Sequence, residues 1–132
     1  SKGKLANKID KNYVIILDGA HNVSGAKALS KVLSSIDTKW QLIFGYLKTR
    51  KPAEFLNELK SITQKIITTE ITGQENSFSS KELFEIIQRK GISVDKSKNL
   101  YEAIEIASQN KLNVCICGSL YLAGEFLKNN QT

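Results

Sequence analysis

The chain has 132 residues, 41% of them hydrophobic and 24% charged, which suits one globular domain around one core. Its 19 Lys and Arg against 13 Asp and Glu give a net charge of +6. The cations are scattered and no aromatic residues interleave with them, so a solvated surface is expected rather than a nucleic-acid stripe. No apolar run is long enough to span a bilayer, and the polar, basic start offers no secretory leader. The sequence starts at Ser1 and contains no Met, as expected of a piece of a longer chain.

Residues 1–12 are polar and read as a linker, with the domain proper expected over 13–132. Tyr13–Leu17 is a continuous apolar run ending at Asp18-Gly19, the pattern of a fully buried parallel strand. Asn22 is placed to cap a helix in which Ala26, Leu29, Val32, Leu33 and Ile36 recur at helical spacing. Trp40–Phe44 reads as a second strand closed by Gly45, and Pro52 suits the first turn of the next helix. Phe55, Leu56, Leu59 and Ile62 are expected to line its inner face. Lys65–Thr69 follows as a strand, and Glu70–Phe78 is polar enough to read as a loop. Ser79 or Ser80 caps a helix through Arg89, stopped by Gly91. Ile92–Val94 is a short strand, Asn99 caps a helix with Leu100, Ala103, Ile104 and Ala107 inward, and Leu112–Cys117 is the last clear strand. Gly118-Ser119 then turns into a helix whose Leu120, Ala123, Gly124 and Leu127 are spaced for burial.

Alternating strands and helices predict an α/β fold: a Rossmann-like three-layer sandwich with a mostly parallel sheet of five to six strands and helices on both faces. Cys115 and Cys117 share one face of their strand, where a disulfide would be strained and a zinc site lacks ligands. Reduced core thiols in a cytoplasmic protein are expected instead.

Such sheets carry their functional loops at the carboxyl ends of the strands. That rule selects Asp18–Asn22, Gly45–Lys51 and Gly118-Ser119, provided their strands are parallel neighbours. Asp18 is expected at the edge crevice, and His21 and Asn22 at a helix mouth where free N–H groups favour anions. The competing readings are that Asp18 and Asn22 only shape the turn and cap the helix, and that the single His is structural. Ser119 is first an N-cap, and its hydroxyl with nearby amides can also hold a carboxylate. No hydrolase elbow, Walker A motif or G-x-G-x-x-G is present, so the chain has no triphosphate cradle of its own.

Leu17-Asp18-Gly19-Ala20-His21-Asn22, Phe44-Gly45-Tyr46-Leu47 and Gly118-Ser119-Leu120-Tyr121-Leu122 resemble, in order and approximate spacing, the L-D-G-A-H-N-P, F-G-x-L and G-S-L-Y signatures of one family. It is the folylpolyglutamate synthase/dihydrofolate synthase family of the Mur ligase superfamily, and the resemblance covers only that family's C-terminal domain. It implies an ATP- and magnesium-dependent ligase that joins L-glutamate to a folate carboxylate through an acyl phosphate. The implied partners are the enzyme's own N-terminal P-loop domain, L-glutamate, and folate or dihydropteroate, with no nucleic acid and no membrane. ATP and Mg2+ would be bound mainly by the N-terminal domain, with no metal ligand in this chain, and the isolated piece is expected to be inactive. By resemblance Asp18 and Lys4 contact nucleotide, His21 and Ser119 are catalytic, and His21, Asn22, Ser119 and Arg50 bind substrate. Three departures stand out: Val23 replaces the proline after Asn22, Lys4 replaces an arginine, and Thr49-Arg50-Lys51 stands where the family has D-K-D. Two alternatives remain at this point: another Mur-type amino-acid ligase, and a non-catalytic basic α/β binding module.

Overall fold

The computed structural model describes residues 3–131. Ser1, Lys2 and Thr132, the outermost residues of the expected linker and domain, lie outside them. Five strands form one sheet: β1 (Ile15–Leu17), β2 (Trp40–Phe44), β3 (Thr63–Thr68), β4 (Val94–Lys96) and β5 (Asn113–Cys117). Their order is β1-β5-β2-β3-β4, and every neighbouring pair is parallel. Five helices accompany them: α1 (Val23–Ile36), α2 (Pro52–Asn57), α3 (Ser80–Arg89), α4 (Leu100–Ser108) and α5 (Leu120–Asn129).

The topology decides where the helices go. The steps from β1 to β2, β3 and β4 all run in one direction along the sheet, so right-handed crossovers place α1, α2 and α3 on one face. Leu29, Leu33, Phe55, Leu83 and Ile87 pack there against Leu42, Phe44 and Cys115. The return from β4 to β5 reverses direction and puts α4 on the other face, where α5 joins it. Leu100, Ile104, Leu122 and Phe126 cover Ile43, Ile67 and Ile116 on that side. β5 thus lies between β1 and β2, while the helix that follows it leaves to the opposite face from theirs. Such a switch point opens a crevice outside the carboxyl ends of the three strands.

Local chemistry explains the helix starts. Asn22, Ser79, Asn99 and Ser119 each accept a backbone N–H from the first turn of the helix they precede. Ser79 and Glu82 form a reciprocal capping box. Both cysteines are buried and free, and the neighbouring Cys117 thiol together with burial pushes the Cys115 thiol up, which makes Cys115 an inert core group.

Three expectations are corrected. The Tyr13–Leu17 run is not a fully buried strand: β1 has only three residues, all half-buried, and Val14 is 43% exposed. The cause is its place at the sheet edge, with a neighbour on one side only. On α1, Val32 and Ile36 are half exposed, and the buried stripe is Ala26, Leu29 and Leu33. On α5 the packed residues are Leu122, Ala123 and Phe126, while Leu120 and Leu127 are exposed and Gly124 faces open space. The buried Ser119 cap sets that phase, turning Leu120 outward over Gly19. Glu70–Phe78 is a loop, as expected, and it is tied to the fold: Ile71 is buried, and Leu47 pairs with Ser77 in an antiparallel bridge.

Residues 3–12 pack onto the α4/α5 face. Leu5 and Ile9 are buried there, and the Asn130 side chain accepts the Leu5 and Ala6 N–H groups at 2.9 and 2.8 Å. Leu5→Ala is therefore expected to lower unfolding free energy by about 2–4 kcal/mol in urea denaturation. A change under about 0.5 kcal/mol would show that this segment is not part of the core.

Candidate functional site

The turn after β1 is built from its own short side chains. Asp18 Oδ1 accepts the Ala20 N–H at 2.7 Å, closing an Asx turn. Asn22 Oδ1 accepts the Gly25 N–H at 2.8 Å, and the α1 first turn packs so closely that a Cβ on Gly25 would lie 2.9 Å from Ala20 Cβ. The His21 ring is exposed, with Nδ1 3.1 Å from the Gly19 carbonyl. That carbonyl only accepts, so the contact selects the Nδ1–H tautomer and leaves Nε2 free to take a proton.

The turn after β5 approaches from the other side. Gly118 has φ +107°, and a Cβ there would lie 2.1 Å from the Gly45 carbonyl oxygen. Only glycine allows the β2 and β5 ends to come this close. Ser119 is 2% exposed, and its Oγ accepts the Tyr121 N–H at 3.0 Å. As a hydroxyl it still has its own proton to donate. The turn after β2 supplies Tyr46, whose hydroxyl donates to the His21 carbonyl at 2.7 Å. Burial pushes the Tyr46 pKa up to about 12 despite the lowering effect of nearby Arg50, so it remains a donor at neutral pH.

These three turns enclose a cavity of about 340 Å³ lined by His21, Tyr46, Leu47, Thr49, Arg50, Gly118, Ser119, Leu120 and Tyr121. A second hollow of about 270 Å³ shares Tyr46, Thr49 and Arg50 and extends to Asn22, Val23, Lys51 and Glu54. The structure thus brings His21, Ser119 and Arg50 into one cavity and Asn22 into its neighbour. Asp18 is half-buried behind the turn and lines neither hollow. Lys4 lies elsewhere, beside Leu5, Asn99, Leu100, Tyr101, Glu125 and Asn129.

The start of α5 lines the first hollow and the start of α1 the second, so the first-turn N–H groups that the Asn22 and Ser119 caps leave over, with the Arg50 guanidinium, favour an anionic ligand. Among the described residues no three His, Cys, Asp or Glu side chains are grouped to hold a metal ion. Among them, too, no helix is long and apolar enough to cross a membrane.

Residues 1–129 match the family described as the dihydrofolate synthetase C-terminal domain. The chain belongs to this family. Solved structures share its fold. A Mycobacterium tuberculosis folylpolyglutamate synthase complexed with ADP superposes with a TM-score of 0.76 at 21% identity, over 86% of this chain and 29% of that one. E. coli FolC in complex with DHPP and ADP gives 0.75 at 19% identity, over 86% and 28%. The bifunctional folylpolyglutamate synthase/dihydrofolate synthase of Yersinia pestis gives 0.75 at 21% identity, over 91% and 29%. The chain therefore spans less than a third of these relatives' length. No curated protein sequence matches it.

Tyr46, Leu120 and Tyr121 line the first cavity, yet sequence reasoning did not single them out as site residues. Tyr46 lay inside the Gly45–Lys51 loop that the strand-end rule selected. Its hydroxyl contact with a residue distant in sequence had no local signal. The exposed Leu120 and Tyr121 were hidden by the assumption that α5 buries its first apolar residue.

Proposed function

We propose that this chain is the C-terminal domain of an ATP-dependent ligase that forms an amide between a folate carboxylate and L-glutamate. The observation that carries the reading is the convergence of His21, Arg50 and Ser119, from three separate turns, on one cavity beside two helix N-termini. L-Glutamate has two carboxylates and one amine. Arg50, the α5 N-terminus and the Ser119 hydroxyl suit the carboxylates. His21 Nε2, unprotonated in the selected tautomer, suits the amine, from which a proton must leave before it can attack a carbonyl. Asp18 and Asn22 hold the turn that presents His21, and Asp18 Oδ2 remains available to a nucleotide hydroxyl. Lys4 would meet nucleotide only across the α4/α5 side, as a point charge rather than a fork.

ATP would supply the phosphoryl group that activates the acid. The chain offers anion-favouring helix ends but no glycine-rich loop for a triphosphate, and no acidic cluster for Mg2+ among the described residues. Both fit a second, P-loop domain that this one closes over, in a cytoplasmic enzyme. The test joins this sequence to that domain and measures amide formation. ATP-dependent addition of L-glutamate to folate or dihydropteroate is expected, with no ATP turnover by the present chain alone. Product with a different acid or amino acid, and none with these, would instead place it among the other Mur-type ligases.

A further inference from the structure

Tyr46 stands at the wall between the two hollows, and nothing in the motifs explains why a hydroxyl should be there. Its ring is 2% exposed and held in one position by two aromatic neighbours, Phe44 at 5.2 Å and Phe55 at 5.3 Å between centroids. Its main chain is fixed as well, since the Tyr46 carbonyl accepts the Phe78 N–H at 2.9 Å. A ring so confined has little rotamer freedom left to lose, so its hydroxyl acts as a rigid tip. That tip donates to the His21 carbonyl at 2.7 Å. The His21 side chain itself is exposed and meets only its own turn, at the Gly19 carbonyl. The internal bonds of the turn shape it but do not tie it to β2.

We propose that Tyr46 is a positioning residue: its hydroxyl pins the His21 carbonyl and so fixes how the turn between β1 and α1 presents the imidazole and the α1 N-terminus to the cavity. It acts through His21 rather than on a ligand. A phenylalanine would keep the three-ring packing and lose only the pin. The hydroxyl is thus explained by the cavity and not by the core.

Tyr46→Phe separates the two roles in this chain. The Ala20 and Gly25 amides report the turn, because they donate to Asp18 and Asn22; the Asp37 amide, which donates to Leu33 at the far end of α1, reports the rest. Hydrogen exchange followed by NMR should speed up about 3–10-fold at Ala20 and Gly25 and not at Asp37. No change at the turn, or equal acceleration at all three, would overturn the proposal.

The enzymatic arm rests on the ligase reading and uses the full-length protein. Tyr46→Phe should lower kcat/KM for L-glutamate about 3–10-fold in the wild-type background and cause no further loss in His21→Ala. Equal losses in both backgrounds would assign Tyr46 a role independent of His21. Absence of ligase activity in the wild type would strike the functional reading alone, since the exchange arm needs no activity.

Discussion

Gly118→Ala is expected to be strongly destabilising for a single added methyl group. Two costs combine. Gly118 sits at φ +107°, where an L side chain is strained by about 1–3 kcal/mol. Its Cβ would also fall 2.1 Å from the Gly45 carbonyl oxygen and 2.9 Å from Phe44 Cε1. The first neighbour is backbone on a central strand end and cannot swing aside as a flexible side chain would. The β2 and β5 ends must therefore separate, which opens the cavity floor and loosens the Ser119 cap. A loss of about 3 kcal/mol or more is expected in urea denaturation, a large share of a stability of roughly 5–15 kcal/mol. Gly73→Ala is a useful control, because it shares a positive φ but has nothing within 4 Å of its Cβ. It should cost only the conformational part. Equal losses in the two variants would show that the close approach of β2 and β5 carries no energy of its own.

His21→Ala in the full-length enzyme is expected to lower kcat/KM for L-glutamate about 100-fold or more, with folding unchanged. The ring is exposed and, among the described residues, its polar contact is with Gly19 alone, so its removal breaks no other hydrogen bond there. Asp18 needs a different substitution. Asp18→Ala would free the Ala20 N–H and distort the turn, whereas Asp18→Asn keeps an oxygen for that bond and removes the charge. Asp18→Asn should then raise KM for ATP while leaving the turn intact. Full activity in both variants, measured by product formation under saturating folate, would remove His21 and Asp18 from the site.

Much of the fold was legible because buried parallel strands write themselves as predominantly apolar runs. Trp40–Phe44 and Asn113–Cys117 are buried at every residue, and both stand in the middle of the sheet. Tyr13–Leu17 carries the same apolar pattern but forms an edge strand. Strand order is set by crossovers that no local window contains, so the run alone could not tell edge from centre. The caps were readable for the opposite reason: Asn22, Asn99 and Ser119 bond to amides two or three residues away, a purely local matter. α5 shows where periodicity fails. Leu120, Gly124 and Leu127 keep helical spacing, but so do Leu122 and Phe126, and only the second set meets the sheet.

The site divides along the same line. Three turns were marked by strand ends and by motif, and His21, Arg50 and Ser119 from them do meet in one cavity. Tyr46 was not marked, because its partner lies on a different strand's loop and its hydroxyl resembles any core aromatic in sequence. Lys4 was marked by motif position alone, and in this domain it faces another hollow.

The central claim is that the cavity between the β1, β2 and β5 turns receives the amino-acid substrate. Titrating this chain with L-glutamate, while following backbone and His21 side-chain resonances by NMR, tests it most directly. Saturable shifts confined to Ala20–Asn22, Tyr46–Arg50 and Gly118–Tyr121 are the predicted result, reduced in His21→Ala. Shifts centred on Lys4, Tyr101 and Asn129, or none at tens of millimolar glutamate, would contradict it.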